Sequence, residues 1–173
     1  GQIRPNRLII RDDHSHDKTL ELAHKLAATS TSDVEFDIRK NQTGLGAAKN
    51  FLSILNELPN DTDFVAFSDQ DDIWEPWKLK RAVQFLSDEK IGEQPALYCS
   101  RQQLVDEQGQ NIKLSRNFKH QPSFSNVLVE NIATGCTVLI NRRALNIIQE
   151  VSQPLPDIAF HDWWLNLIIS GVG

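Results

Sequence analysis

Methionine is absent from this chain of 173 residues, and cysteine occurs only twice. The two cysteines, Cys99 and Cys136, form no C-x-x-C pair, which argues against a thiolate zinc site. Two free thiols are the simpler expectation, and a disulfide between them is the alternative. A chain that has no methionine and opens on Gly1-Gln2-Ile3 is expected to be processed or to be a segment of something longer. Its ending, LIISGVG, which stops on an apolar segment, points the same way. No apolar run approaches the roughly 18 residues of a membrane-spanning helix, and no secretory leader is visible. Basic residues are short as well: 18 Lys and Arg against 23 Asp and Glu leave a net charge of −5. With no long Lys/Arg run to offset that balance, a general nucleic-acid binder is not expected. The acid excess is spread along the chain, as on a solvated surface.

What is present is enough apolar material for a core, 40% of the residues, arranged with clear periodicity. RLIIR (7–11) is a short apolar run stopped by acids, as a buried strand would be. Leu20, Ala23, Leu26 and Ala27 recur at helical spacing, with Asp17 placed as an N-cap. VEFDIRK (34–40) alternates as a strand, and NQTGLG breaks the pattern. Ala48, Phe51, Leu52 and Leu55 predict a second amphipathic helix, FVAF (64–67) a buried strand, and residues 77–86 a third helix with Pro76 near its start. This alternation predicts a parallel sheet covered by helices. Further on, ALYCS (96–100) reads as a strand, and QQLVDEQGQNI as two strands around a turn at 106–109. CTVLI (136–140) predicts a strand, residues 142–151 a helix, and HDWWLNLIIS a largely buried closing helix. No repeat, low-complexity segment or internal boundary appears, so residues 1–173 are expected to form a single domain.

Chemistry gathers at three places. FSDQDDIWEP (67–76) puts Asp69, Asp71 and Asp72 just past a buried strand, and in open α/β sheets ligands bind beyond the carboxyl ends of strands. Hard carboxylate oxygens held together suit Mg²⁺ or Mn²⁺, whose remaining positions go to water and phosphate. The alternative is an acidic loop capping the next helix. Asp12 and Asp13 follow the first strand, where an acid can accept from a ribose hydroxyl or a base N–H; turn chemistry is the alternative there. Two acidic strand ends on one edge, one holding a cation, suggest a nucleoside diphosphate. In FHDWW (160–164), Asp162 lies among aromatics. Apolar surroundings raise a carboxyl pKa toward the range of a general base, while a helix cap is the plainer role. Trp163 and Trp164 offer a flat face for a sugar ring or core bulk, and His161 either neighbours the site or starts the helix.

DDHSHDKT, FSDQDDIWEPWKL, GCTVLINRRAL and HDWWLNL, in this order and spacing, resemble the family 2 glycosyltransferases, and most of all their rhamnosyltransferase-like bacterial branch. The motifs run from about Leu8 to Ile169. The resemblance implies a GT-A fold, Rossmann-like, with a mainly parallel sheet flanked by helices. It also implies a dTDP- or UDP-sugar donor, a saccharide or lipid-linked saccharide acceptor, and inversion at the anomeric carbon. Asp12 and Asp13 match acids that contact the donor's base and ribose, and Asp69 and Asp71 the pair that holds the metal on the diphosphate, with Asp72 beside them. Asp162 matches the base that deprotonates the acceptor. Gly135 and Cys136 lie in the segment lining the acceptor side, with His161 and Trp163 near it.

Two departures stand out. Gly44 occupies the place of a usual Asn before Leu45-Gly46, and Lys49, which could reach a phosphate, follows as an otherwise ordinary helix lysine. The usual first strand of the fold, with its turn and helix, has no counterpart before RLIIR, so the chain is expected to be a partial catalytic domain. The implied place of work is the cytoplasm or the cytoplasmic face of the membrane, in surface polysaccharide synthesis with rhamnose or another deoxysugar. The competing readings are a nucleotide-sugar-binding fragment without turnover and, behind it, a metal-dependent phosphohydrolase.

Overall fold

The computed structural model describes residues 4–118 and 123–172; the opening Gly1-Gln2-Ile3 and the final Gly173 lie outside the described residues. The order is β1 (Arg7–Asp12), α1 (Thr19–Thr29), β2 (Glu35–Lys40), α2 (Ala47–Glu57), β3 (Phe64–Ala66), α3 (Lys78–Leu86), α4 (Glu89–Gly92), β4 (Leu97–Tyr98), β5 (Gln103–Val105), β6 (Asn111–Leu114), α5 (Phe124–Val127), a 3₁₀ turn (Gly135–Thr137), β7 (Leu139–Asn141), α6 (Arg142–Val151) and α7 (His161–Val172). Most elements fall where periodicity predicts them. The short helices α4 and α5 carry too few residues to show a period. Among the described residues no helix is long and apolar enough to cross a membrane, and Cys99 and Cys136 are free thiols.

The expected mainly parallel sheet is not what forms. The strands make three small sheets: a parallel pair β1-β2, an antiparallel three-stranded sheet in the order β3-β7-β4, and the hairpin β5-β6. The alternation of strand and helix does place β3 and β4 in one sheet and pointing the same way, with α3 between them in sequence. However, β7 comes from much later in the chain, inserts between them and runs antiparallel to both. Periodicity identifies a strand but not its partner. The fold is mixed α/β.

The reason β7 takes the centre is legible in its side chains. All three of its residues are buried, as a strand with neighbours on both edges and both faces requires. Leu139 packs with Ala82 and Leu86 of α3, and with Phe64, Ala66 and Tyr98. Ile140 faces the other way, into the main core with Leu52 and Leu55 of α2, Leu145 and Ile148 of α6, and Leu165 and Ile169 of α7. This two-residue alternation of faces is the strand period. The parallel pair is fastened to α2 by charge: Arg11 donates to Glu57 at 2.5 and 3.2 Å, and Arg39 reaches the same carboxylate at 3.0 Å. Arg11 is the main cause that holds the Glu57 carboxyl below its usual value.

Asn141 ends β7 and starts α6. Its side-chain oxygen accepts from Ala144 N at 3.0 Å and Ala96 N at 3.1 Å, and its amide donates to the Gln94 carbonyl at 2.7 Å. At 5% exposure, water does not replace these partners when they are lost. Asn141→Ala is therefore expected to cost about 2–4 kcal/mol, a lost cap plus unsatisfied buried groups. In a thermal melt this should read as a fall in Tm of about 5–12 °C.

Candidate active site

The site is set by strand direction. Ala66 of β3 pairs with Leu139 of β7, and the pairing continues through Phe67 N to Val138 O at 3.4 Å. Because the strands are antiparallel, stepping forward past Phe67 toward Asp69 is stepping back past Val138 toward Cys136. Asp69, Asp72 and Cys136 accordingly meet, with one ligand atom of each within 4.8 Å of the others. Asp71 lies exposed outside that group of three, although its charge still bears on Asp69.

The electrostatics of this group are unfavourable by design of the backbone. The Asp69 carboxyl is raised above its usual value, first by burial and then by the charges of Asp72, Asp71 and Asp162. Burial also pushes the Cys136 thiol up to about 12, and its hydrogen bond and proximity to Asp72 add to the effect. The thiol therefore stays protonated and donates to Asp72, while Gln102 Nε2 donates to its sulfur at 3.1 Å. Two carboxylates whose oxygens converge, and which repel when both are ionised, form a donor set that fits a hard divalent cation. A protonated thiol does not add a hard ligand to it.

Lys78, at the start of α3, brings a fixed positive charge to the same place. Its Nζ stands 3.2 Å from the centroid of the Trp74 ring and is buried without a hydrogen-bond partner. Burial lowers its pKa to about 8, against the pull of the Asp72 and Asp69 carboxylates. Sequence reasoning assigned it no role. The available signal was a lysine between two apolar residues, Trp77 and Leu79, right after the acids.

Asp162 lies in the first turn of α7 and is half-buried. Its Oδ2 accepts from the Gly135 N–H at 2.9 Å and its Oδ1 from Trp163 N at 2.7 Å. His161 stacks on Phe51 of α2, with centroids 4.3 Å apart, and tilts against Phe67 at 5.5 Å. Burial holds its imidazole below the usual value, opposed by the Asp162 charge. Trp163 donates through Nε1 to the Val127 carbonyl at 2.6 Å, and Trp164 packs against the main core.

Asp12 and Asp13 form a second group at the end of β1, and the structure treats them differently. Asp12 is 4% exposed; its Oδ2 accepts from Ser15 N at 3.0 Å, while its Oδ1 is buried with no partner. Asp13 is saturated. Its Oδ1 accepts from Asn41 Nδ2 and Leu45 N, both at 2.8 Å, and its Oδ2 from Gly46 N at 2.7 Å. Burial raises the Asp13 carboxyl, but the Leu45, Asn41 and Gly46 donors outweigh it, so the net shift is downward. Asp13 thus clamps the 41–46 turn, whose Gly46 adopts φ +79°. Lys49 is ion-paired with Asp157 at 2.8 Å.

Comparison with known proteins identifies the family of the chain. The family model described as glycosyl transferase family 2 matches residues 3–148. That span includes both acidic groups and Gly135-Cys136, and ends before Asp162. The dTDP-rhamnosyl transferase RfbG of Shigella flexneri is 29% identical over 171 residues, which cover 91% of this chain and 54% of that protein. The chain therefore spans about half the length of the curated relative it matches. No solved structure matches it. With a family model matching most of its length, the chain belongs to glycosyl transferase family 2.

Proposed function

We propose that this chain is the core of an inverting glycosyltransferase of GT-A type. It would move a sugar, rhamnose by analogy with the Shigella relative, from a dTDP- or UDP-sugar to a saccharide or lipid-linked saccharide. One observation carries the reading. Gly135 bonds Asp162 at 2.9 Å while the next residue, Cys136, belongs to the Asp69–Asp72 group, so a candidate base and a candidate diphosphate site contact adjacent residues of one turn. The charge of Asp162 also reaches Asp69.

In this reading Asp69 and Asp72, with Asp71 alongside, would hold Mg²⁺ or Mn²⁺, which when bound supplies positive charge against that developing on a departing diphosphate. Lys78 adds a cation that needs no metal. Asp162 orients the acceptor hydroxyl and takes its proton as the oxygen attacks the anomeric carbon from the face opposite the diphosphate. The bond from that carbon to the diphosphate oxygen breaks, and its electron pair leaves with the nucleoside diphosphate. Asp12, whose unpartnered Oδ1 is buried, reaches a ribose hydroxyl or base N–H only by turning that oxygen outward. Asp13 contributes by shaping the 41–46 turn, and Lys49 reaches a phosphate only by releasing Asp157. Gly135, Cys136, His161 and Trp163 belong to the acceptor side. β1 and β3 each pair with one strand among the described residues, and a GT-A sheet would place a further strand beside β1. The chain would then be a single, partial catalytic domain. A nucleotide-sugar donor puts its work in the cytoplasm or at the cytoplasmic face of the membrane, in polysaccharide synthesis.

Calorimetry with dTDP tests the donor site. Affinity should fall at least about tenfold without Mn²⁺ and in Asp69→Asn, as expected when a charged ligand contact is lost. Binding indifferent to Mn²⁺ would sink the reading. The folded pKa of Asp69 is raised, so its ionisation removes stability as pH rises through that value. Asp69→Asn should therefore raise the Tm of the metal-free protein by about 1–4 °C while abolishing metal-dependent binding. In the unsubstituted protein, dTDP affinity with Mn²⁺ should begin to fall on acidification above the ordinary aspartate range.

The base is tested by dTDP release from dTDP-rhamnose. Asp162→Asn should slow it by about 10²–10⁴-fold, with dTDP affinity held within about twofold. A chain that binds dTDP with metal yet never turns the donor over is the binding fragment, not the enzyme.

A further inference from the structure

We propose that Gly135 is the positioning residue for the Asp162 carboxylate, and that the Gly135–Thr137 turn sets the spacing between that carboxylate and the Asp69–Asp72 group. The role rests on the reading of Asp162 as base. It does not rest on glycine's backbone freedom: the glycines with positive φ among the described residues are Gly46 and Gly109, not Gly135. What Gly135 supplies is an N–H and an empty space.

The N–H donates to Asp162 Oδ2 at 2.9 Å, while Trp163 N fixes Oδ1 at 2.7 Å. Each oxygen is oriented by one backbone donor and keeps lone-pair capacity for an incoming hydroxyl. The empty space is equally specific. A Cβ at position 135 would stand 3.0 Å from His161 Nε2, 3.4 Å from its Cε1 and 3.6 Å from Asp162 Cβ. The imidazole has little room to retreat, because it lies stacked on Phe51 and against Phe67. Any side chain at 135 therefore pushes on the residue next to the base.

The turn itself is stiff. Thr137 N and its hydroxyl both donate to the Thr134 carbonyl at 2.8 Å, and Val138 N donates to the Gly135 carbonyl at 2.9 Å. Gly135 and Cys136 are buried. Cys136 reaches the acidic group within 4.8 Å, so a displacement of the turn moves one set of acids relative to the other.

A double-mutant cycle with His161 reads this directly. In dTDP release from dTDP-rhamnose, Gly135→Ala should lower kcat at least about tenfold, the scale of a sub-ångström to 1 Å misplacement, with KM for the donor little changed. In the His161→Ala background, where the first atom met by the new methyl is gone, the same substitution should cost less than about twofold. An equal cost in both backgrounds, or no cost in either, overturns the proposal. Turnover lost in Asp162→Asn but insensitive to Gly135→Ala overturns only the role of Gly135. Turnover that survives Asp162→Asn overturns the base reading and this role with it. Should Gly135→Ala fail to fold, amide hydrogen exchange decides. The Gly135 amide should exchange at least about tenfold faster in Asp162→Ala, where the acceptor is gone, and stay protected in Asp162→Asn, whose carboxamide oxygen still accepts. An amide equally protected in Asp162→Ala rules the proposal out.

Discussion

Because β7 runs antiparallel to β3, the residues that follow one strand are brought against the residues that precede the other. Asp69 and Asp72 leave β3 into the space that Gly135 and Cys136 occupy before β7 begins. The same strand buries Leu139 and Ile140 on opposite faces, which ties α3 on one side and α2, α6 and α7 on the other to a common centre. α7 carries Asp162, α2 carries Phe51 under His161, and α3 carries Lys78. α3 packs directly on β7, and α2 and α7 share the core that its Ile140 enters. A parallel β7 would place its far end beside the acids and separate all of these.

That arrangement concentrates negative charge. Asp69 is raised by burial and by three neighbouring acids, so the fold is less stable with it ionised than it would be with a neutral isostere. Selection for stability alone would remove such a residue, and the divalent cation of the proposed reading would offset the repulsion. Cys136 is adjusted to the same field: burial and Asp72 keep its thiol protonated, so it serves as a hydrogen-bond donor that spreads the charge of Asp72. The site thus accommodates its acids with neutral donors close by and one cation on Trp74.

Much of this was legible in the sequence, and the rest was hidden for definable reasons. Most elements follow from period and turn composition, down to the turn of the β5-β6 hairpin at Asp106–Gly109 and the helix beginning after Asn141, while α4, α5 and the Gly135–Thr137 turn do not. Strand pairing does not follow from period, because β7 looks the same in sequence whether it sits at an edge or between β3 and β4. Asp12 and Asp13 look equivalent in DDHSHD. Only the folded turn shows Asp13 spending its oxygens on Asn41, Leu45 and Gly46 while Asp12 keeps one free. The acidic cluster was readable as three carboxylates, but which two converge depends on a non-repetitive turn, and there Asp72 stands with Asp69 while Asp71 lies outside the group. Gly135 makes its contacts with His161 and Asp162, far away in the chain, which no local pattern encodes, whereas Lys78 meets Trp74 only four positions before it.

The balance of charge in the acidic turn bears on why a lysine rather than a second hydrophobe starts α3. Asp69, Asp71 and Asp72 carry three negative charges when ionised, and the Lys78 ammonium offsets one. Its lowered pKa of about 8 still leaves it mostly protonated near neutrality. What remains is two negative charges, the complement of one divalent ion. An arginine there would hold its charge more firmly but would compete for the carboxylates through bidentate hydrogen bonds. Lys78 instead has its ammonium held over the Trp74 ring without a hydrogen bond to any carboxylate, so it lowers the repulsion between Asp69 and Asp72 while occupying none of their oxygens. The cation–π contact is thus the feature that lets one positive charge sit among the acids without closing the site they form.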